Sequence, residues 1–189
     1  LYYQGHAKIF SLIKAARIAR TIAFVEERDW FSKRLRFELD LLKKQAERKG
    51  FVPAVRLNLL SDVEWENVFP WVFDYPFQYY DYLKSAKRMF RWCNDELPAN
   101  YHLTFSRSET NEADCVRVLE AGGNVAVVYR DKDLPKAWKG YKVVNGDKTD
   151  LRFLDSLGCV IGLYAKGTAK ADKTGFVVDN AIRTPLALI

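Results

Sequence analysis

After Gly50 the chain repeats one unit, a short β-rich run followed by a stretch with helical spacing, at intervals of about 24 residues over the first four strands. A strand, a turn and a crossover helix fill an interval of that size, whereas a hairpin needs far fewer residues. The predicted strands lie near 54–59, 77–81, 101–106, 124–129, 141–145 and 159–165, with a short seventh at Gly175–Asp179. Between the first four come an aromatic-rich segment from Val63 to Tyr75, a helix from about Ser85 to Asp95, and a helix from Asn111 to Ala121 that stops at Gly122-Gly123. Such alternation predicts parallel βαβ units with right-handed crossovers and strands adjacent in sequence order.

The strand patterns refine the expectation. In the first strand Val55, Leu57 and Leu59 oppose Arg56 and Asn58; in the third, Tyr101, Leu103 and Phe105 oppose His102, Thr104 and Ser106. The second places Asp81 with Tyr79 and Phe77, and the sixth opposes Ile161, Leu163 and Ala165 to Gly162, Tyr164 and Lys166. A flat sheet buried on both faces reads as nearly continuous apolar strands. One apolar and one polar face suits a barrel with helices outside and a polar lumen near the mouth. The expected class is therefore α/β: a partial, open parallel βα barrel of about six strands, preceded by two helices. One domain is expected over residues 1–189, with a helical segment over 1–50 and the repeats over 51–189.

The two helices come first. From Ala7 to Glu26, Ile9, Leu12, Ile13, Ala16, Ala19 and Ala23 recur at helical spacing, with Lys14, Arg17 and Arg20 among them. Asp29 caps a second helix that carries Phe31, Leu35, Leu39, Leu42 and Ala46 on one face and ends at Gly50. The net charge of +6 and pI near 9.2 suit an anionic partner, either nucleic acid or a nucleoside-like, phosphorylated small molecule. Under that reading Lys14, Arg17 and Arg20 contact phosphates; the plain alternative is a solvated helix face.

Several classes are set aside. No uncharged apolar run approaches the roughly 20 residues that span a bilayer, so no membrane partner is expected. Cys93, Cys115 and Cys159 are an odd set with wide gaps, which suits reduced thiols in a cytoplasm. With only His6 and His102 beside them, no metal site is expected from these residues. A phosphate loop, a dinucleotide-binding glycine signature, a nucleophile elbow and a zinc-protease helix are all lacking.

Candidate chemistry gathers where βα strands end, because their carboxyl ends converge. Asp81, His102 and Asp147 are the candidates for proton transfer, His102 by its ordinary pKa and the carboxylates as bases or hydroxyl anchors. Arg56, Arg107 and Lys166 suit a carboxylate or phosphate, and Asn58 and Ser106 complete the ligand-binding set. Arg56, Asn58, Asp81, Ser106 and Lys166 are expected to point into one cavity. Trp65, Trp71, Trp92 and Trp138 are read as packing between helices and sheet, with base stacking as the alternative.

The blocks VRLNLLSDVEWE (55–66), QYYDYLK (78–84), NYHLTFSRSE (100–109), NVAVVYR (124–130), NGDKTDLRFLD (145–155) and GLYAKG (162–167) resemble, in that order, an uncharacterised family borne by bacteriophages, plasmids and other mobile elements. The resemblance covers essentially the whole chain. Members of that family typically carry an upstream strand and a cysteine-rich loop, absent here, ahead of a segment like residues 1–31. That order of strand, cysteine loop, helix and βα barrel is similar to radical S-adenosylmethionine enzymes. The resemblance thus implies a nucleic-acid-modifying enzyme, its iron–sulfur cluster and S-adenosylmethionine held only if upstream cysteines are present. The alternative is a non-catalytic basic module that binds nucleic acid or a host protein. Because two helices precede the first strand and leave its edge open, an upstream strand is expected to pair beside residues 54–59 and to bring the cysteine loop over the strand ends.

Overall fold

The computed structural model describes residues 11–59 and 61–180, and the chain divides into two compact units, Leu1–Gln78 and Tyr79–Ile189. In the first unit, α1 (Ser11–Glu26) and α2 (Arg28–Lys49) are the two predicted helices; the predicted start of the first, from Ala7, lies outside the described residues. The helices part at Glu27, whose backbone leaves the helical region and which takes the N-cap position expected of Asp29; Asp29 lies instead within the first turn of α2. Phe24 and Phe31 flank that break with ring centroids 5.3 Å apart and pack against Trp65 and Phe69. α2 ends as expected at Gly50, which takes a left-handed φ of 68°. Gly50 and Phe51 N–H groups then donate to the Glu47 and Ala46 carbonyls, satisfying two acceptors the last turn would orphan.

The first predicted strand is much shorter than expected. β1 is Ala54–Val55 only, because the Asn58 side chain captures the chain immediately after it. Its Nδ2 donates to the Val63 carbonyl (2.8 Å), while its Oδ1 accepts from Ser61 Oγ (2.7 Å), Val63 N–H (3.1 Å) and Trp65 Nε1 (3.0 Å). This closed turn replaces ladder pairing and leads into α3 (Trp65–Val68) and a 3-10 turn at Pro70–Asp74.

The remaining strands are β2 (Gln78–Leu83), β3 (Tyr101–Ser106), β4 (Asn124–Tyr129), β5 (Ala137–Trp138), β6 (Tyr141–Asn145), β7 (Val160–Tyr164) and β8 (Val177–Val178). Helices α4 (Ala86–Cys93) and α5 (Glu112–Glu120) connect β2 to β3 and β3 to β4. The sheet has eight strands in the order β1-β2-β3-β4-β7-β6-β5, with β8 also on β4. It is open and mostly parallel, and no described strand closes a barrel.

Strict sequence order, as predicted, fails after β4. β7 inserts between β4 and β6, pairing Val125–Tyr129 on one side and Val143–Asn145 on the other. β5 and β6 form an antiparallel hairpin whose two-residue turn, Lys139-Gly140, has positive φ at both positions (51° and 87°). That geometry matches the twist of the flanking strands. β8 pairs with Val128–Tyr129 on the edge that β3 leaves at Ser106. It does not cover β1, whose outer edge carries no paired strand among the described residues.

Register assigns the faces. Tyr79, Asp81 and Leu83 share one face with Tyr101, Leu103, Phe105, Val125, Val127 and Tyr129. α4 and α5 cover it: a Cβ at Gly123 would lie 2.7 Å from Met89 and 2.8 Å from Val118. The opposite face carries Tyr80, Tyr82, His102, Thr104, Ser106, Asn124 and Ala126. No regular helix of the second unit crosses it. The segment from Gly146 to Leu157 does, with a 3-10 turn at Arg152–Leu154 and the Phe153 ring 5.6 Å from Tyr80. Ala126, Cys159 and Ile161 form its core with Tyr82, Val144 and Leu163.

Candidate functional site at the carboxyl ends of the strands

The chain leaving β6 passes onto the helix-free face, whereas the chain leaving β4 returns over the helix face, where Leu134 packs on Gly162. Connections that part in this way open the carboxyl end of an α/β sheet to a ligand. Asp147 stands there, two residues beyond β6. Its Oδ2 accepts from the Tyr164 N–H (2.8 Å) and its Oδ1 from Lys166 Nζ (2.6 Å), which joins the ends of β6 and β7. Burial pushes this carboxyl up, but the bonds from Lys166 and Tyr164 and the charges of Lys166 and Arg152 outweigh it and hold it below its ordinary range.

The Asp147 loop is rigid by construction. Arg152, fully buried, donates Nη2 to the Gly146 carbonyl (3.2 Å) and to the Thr149 carbonyl. A Cβ at Gly146 would lie 2.6 Å from Arg152 Nη1 and closer still to Ile161, so only glycine lets the loop approach β7. Asp155 lies 3.3 Å from Arg152 Nε, a charge contact without a hydrogen bond.

Around Tyr164, the last residue of β7, two ammonium groups approach the ring: Lys132 Nζ at 5.5 Å and Lys170 Nζ at 5.3 Å from its centroid. They come from different loops, and the Lys170 carbonyl is itself fixed by Arg130 Nη1 at 3.0 Å. Arg130 also donates to the Asp172 carbonyl (3.1 Å) and to Asp179, tying the chain on either side of β8.

Of the residues predicted from sequence, Asp147 and Lys166 meet. Arg107 works within the fold: its Nη1 donates to the Gly175 (2.8 Å) and Phe176 (3.0 Å) carbonyls and positions β8, while Nη2 lies 3.6 Å from Glu112. Asp81 and Ser106 fall on opposite faces of the sheet, so these two do not share a cavity. Asp81 accepts from Tyr101 OH (2.7 Å), which in turn accepts from Arg88 Nη2 (3.2 Å). Burial and the Asp81 charge raise the Tyr101 hydroxyl well above its ordinary pKa. His102 lies on the helix-free face near the amino end of β3, and burial, then the Arg152 charge, lowers it to about 4. It is therefore a neutral imidazole at physiological pH. Asn58 belongs to its own turn in the first unit, where Arg56 is half-buried; on α1, Lys14 and Arg17 are half-buried and Arg20 is exposed.

Sequence reasoning missed Lys132, Tyr164 and Lys170. A signal existed: Tyr164 ends a strand two residues before Lys166 in GLYAKG, and Lys132 stands shortly after β4. The cysteines do not fit a cluster. Cys93 ends α4, Cys115 is buried within α5 and Cys159 precedes β7 on the other face. Burial pushes their thiols up, to about 12 for Cys115 and about 11 for Cys159, against the thiolate form that ligates iron. Among the described residues, no three His, Cys, Asp or Glu side chains gather to hold a metal ion, and no helix is long and apolar enough to cross a membrane.

These features define an α/β protein with an open, mostly parallel sheet, helices on one face in its second unit, and a charged rim at the carboxyl strand ends. The chain belongs to the Gene product 88 family, whose model matches residues 2–180. No curated protein and no solved structure matches it.

Proposed function

We propose that the protein binds nucleic acid for a mobile element, with its interface at the carboxyl ends of β4, β6 and β7. The observation that carries this reading is the convergence on one rim of Lys132, from the connection after β4, with Lys166 and Lys170, from the connection after β7, set by Asp147 and Tyr164. Cations held around a fixed scaffold neutralise phosphates and release counterions, and the net charge of +6 has the matching sign. Lys14, Arg17 and Arg20 on α1 form a second basic stretch in the other unit. The test is fluorescence anisotropy with labelled DNA and RNA across a salt series. Replacing Lys132, Lys166 and Lys170 by Gln should reduce the steepness of log Kd against log salt by roughly 2–3. No binding at low ionic strength sinks the proposal.

A second reading, nucleic-acid modification by a radical S-adenosylmethionine-like enzyme built on a partial barrel, draws support from one observation. α4 and α5 lie on the same face, as helices do outside a barrel, and the other face bears His102, Thr104, Ser106 and Asn124. The cysteines of this chain cannot hold its cluster. Anaerobic purification from the complete gene, with iron and labile-sulfide analysis, tests it; a cluster-free product removes it.

A further inference from the structure

Tyr164 occupies an unusual position for a tyrosine at a charged rim. It is half-buried, its backbone is fixed by Asp147, and its ring is approached by Lys132 and Lys170. Among the described residues, neither Lys132 nor Lys170 pairs with a carboxylate, although Asp131, Asp133 and Asp172 are close to them in sequence. Lys166, by contrast, sits 2.6 Å from Asp147 and is 72% exposed, so its stem is directed while its ammonium still faces water. The rim thus combines one aromatic ring with two ammonium groups that have no carboxylate and a third that is aimed. An aromatic ring serves a nucleic acid only where a base face is free, which a stacked duplex does not offer away from its ends. Phosphates one step along a single strand would draw the lysine ammoniums off the ring and leave it to a base.

Building on the nucleic-acid reading above, we infer that this rim recognises single-stranded nucleic acid, with Tyr164 as the stacking surface for one base and Lys132, Lys166 and Lys170 as contacts to the adjoining phosphates. The inference names the strand form and the stacking residue. It does not depend on α1.

The experiment compares a labelled oligothymidylate of about 12 nucleotides with a hairpin duplex of the same charge, using the full chain, Tyr164→Phe and Tyr164→Leu. Tyr164→Leu should bind the single strand about tenfold or more weakly and lose most of the preference for strand over duplex, and Tyr164→Phe should restore most of both. Because Tyr164 lies in a central strand, a second measurement avoids its replacement: photocrosslinking of a 5-iodouracil-substituted strand to the unaltered protein, mapped by mass spectrometry. A crosslink at Tyr164 supports the assignment, and one confined to other residues overturns it. Equal affinity for strand and duplex with no effect of Tyr164→Leu overturns the stacking inference but leaves nucleic-acid binding standing. Absence of binding to both ends both.

Discussion

Replacing Arg152 by Met is the perturbation that reaches furthest into this structure. Met keeps an unbranched apolar stem and removes the guanidinium, together with its bonds to the Gly146 and Thr149 carbonyls and its charge contact with Asp155. Each hydrogen bond from a charged donor contributes about 1.5–3 kcal/mol. Against that stands the relief from burying a charge whose Nε and Nη1 make no hydrogen bond. Breaking a buried pair by removing one partner costs about 3–5 kcal/mol, and the relief places this case near 3. With a urea slope of about 2 kcal/mol per molar, the midpoint should fall by roughly 1.5 M. A second readout is independent of stability. Burial is the main cause of the low His102 pKa and the Arg152 charge the lesser, so removing Arg152 should raise the imidazole from about 4 without restoring 6.5. Proton NMR of the imidazole follows that titration. A midpoint change worth under about 0.5 kcal/mol, or an unmoved titration, would falsify the placement of this guanidinium against the helix-free face.

Three further outcomes follow from the same geometry. Because His102 binds its proton less readily in the fold (about 4) than when unfolded (6.5), stability should be full above pH 6.5 and decline as pH falls toward 4, by about 3 kcal/mol in all; His102→Asn should flatten urea midpoints over that window. The Asp147 carboxyl is held below its ordinary range, so its contribution is present at neutral pH and lost as pH falls through its lowered folded value. Asp147→Asn should remove that acid-limb dependence in thermal melts. Gly146→Ala should destabilise by about 1–3 kcal/mol through overpacking against Ile161 and Arg152, measured by chemical denaturation, and a neutral result would mean the loop has room to shift.

The parallel βαβ core was legible because β2, β3 and β4 are each built from β-formers joined by capped helices. The Ser85 hydroxyl accepts from the Arg88 N–H, and Gly122 closes α5, both features visible as residue types. What followed β4 was not. Nothing local distinguishes a strand that continues the order from one that inserts, since β7 is chosen by both neighbours at once, through Val125–Tyr129 and Val143–Asn145. The Lys139-Gly140 hairpin carries only one glycine as a cue, and Lys139 tolerates its left-handed φ only as part of that turn. Asn58 shows the other limit. Read by alternation it points inward, yet its amide finds four partners within seven residues and ends the strand there. At the strand ends, Asp147 and Lys166 were legible from position alone. Tyr164 was not, because its character comes from Lys132, on the connection after β4, meeting the nearby Lys170 at the ring.

The insertion of β7 has a consequence for how a ribosome delivers this chain. β4 is complete at Tyr129, but the strand that pairs its far side begins at Val160, and the one that fills its near edge begins at Val177. Throughout that interval the nascent chain holds an apolar strand, with Val125, Val127 and Val128, open along one side and part of the other. Such an edge is a template for any passing strand. Completion of the sheet waits for the last described tenth of the sequence, so cooperative folding falls after most of synthesis rather than during it. The stretch between Tyr129 and Val177 is the interval over which that edge waits for its partners.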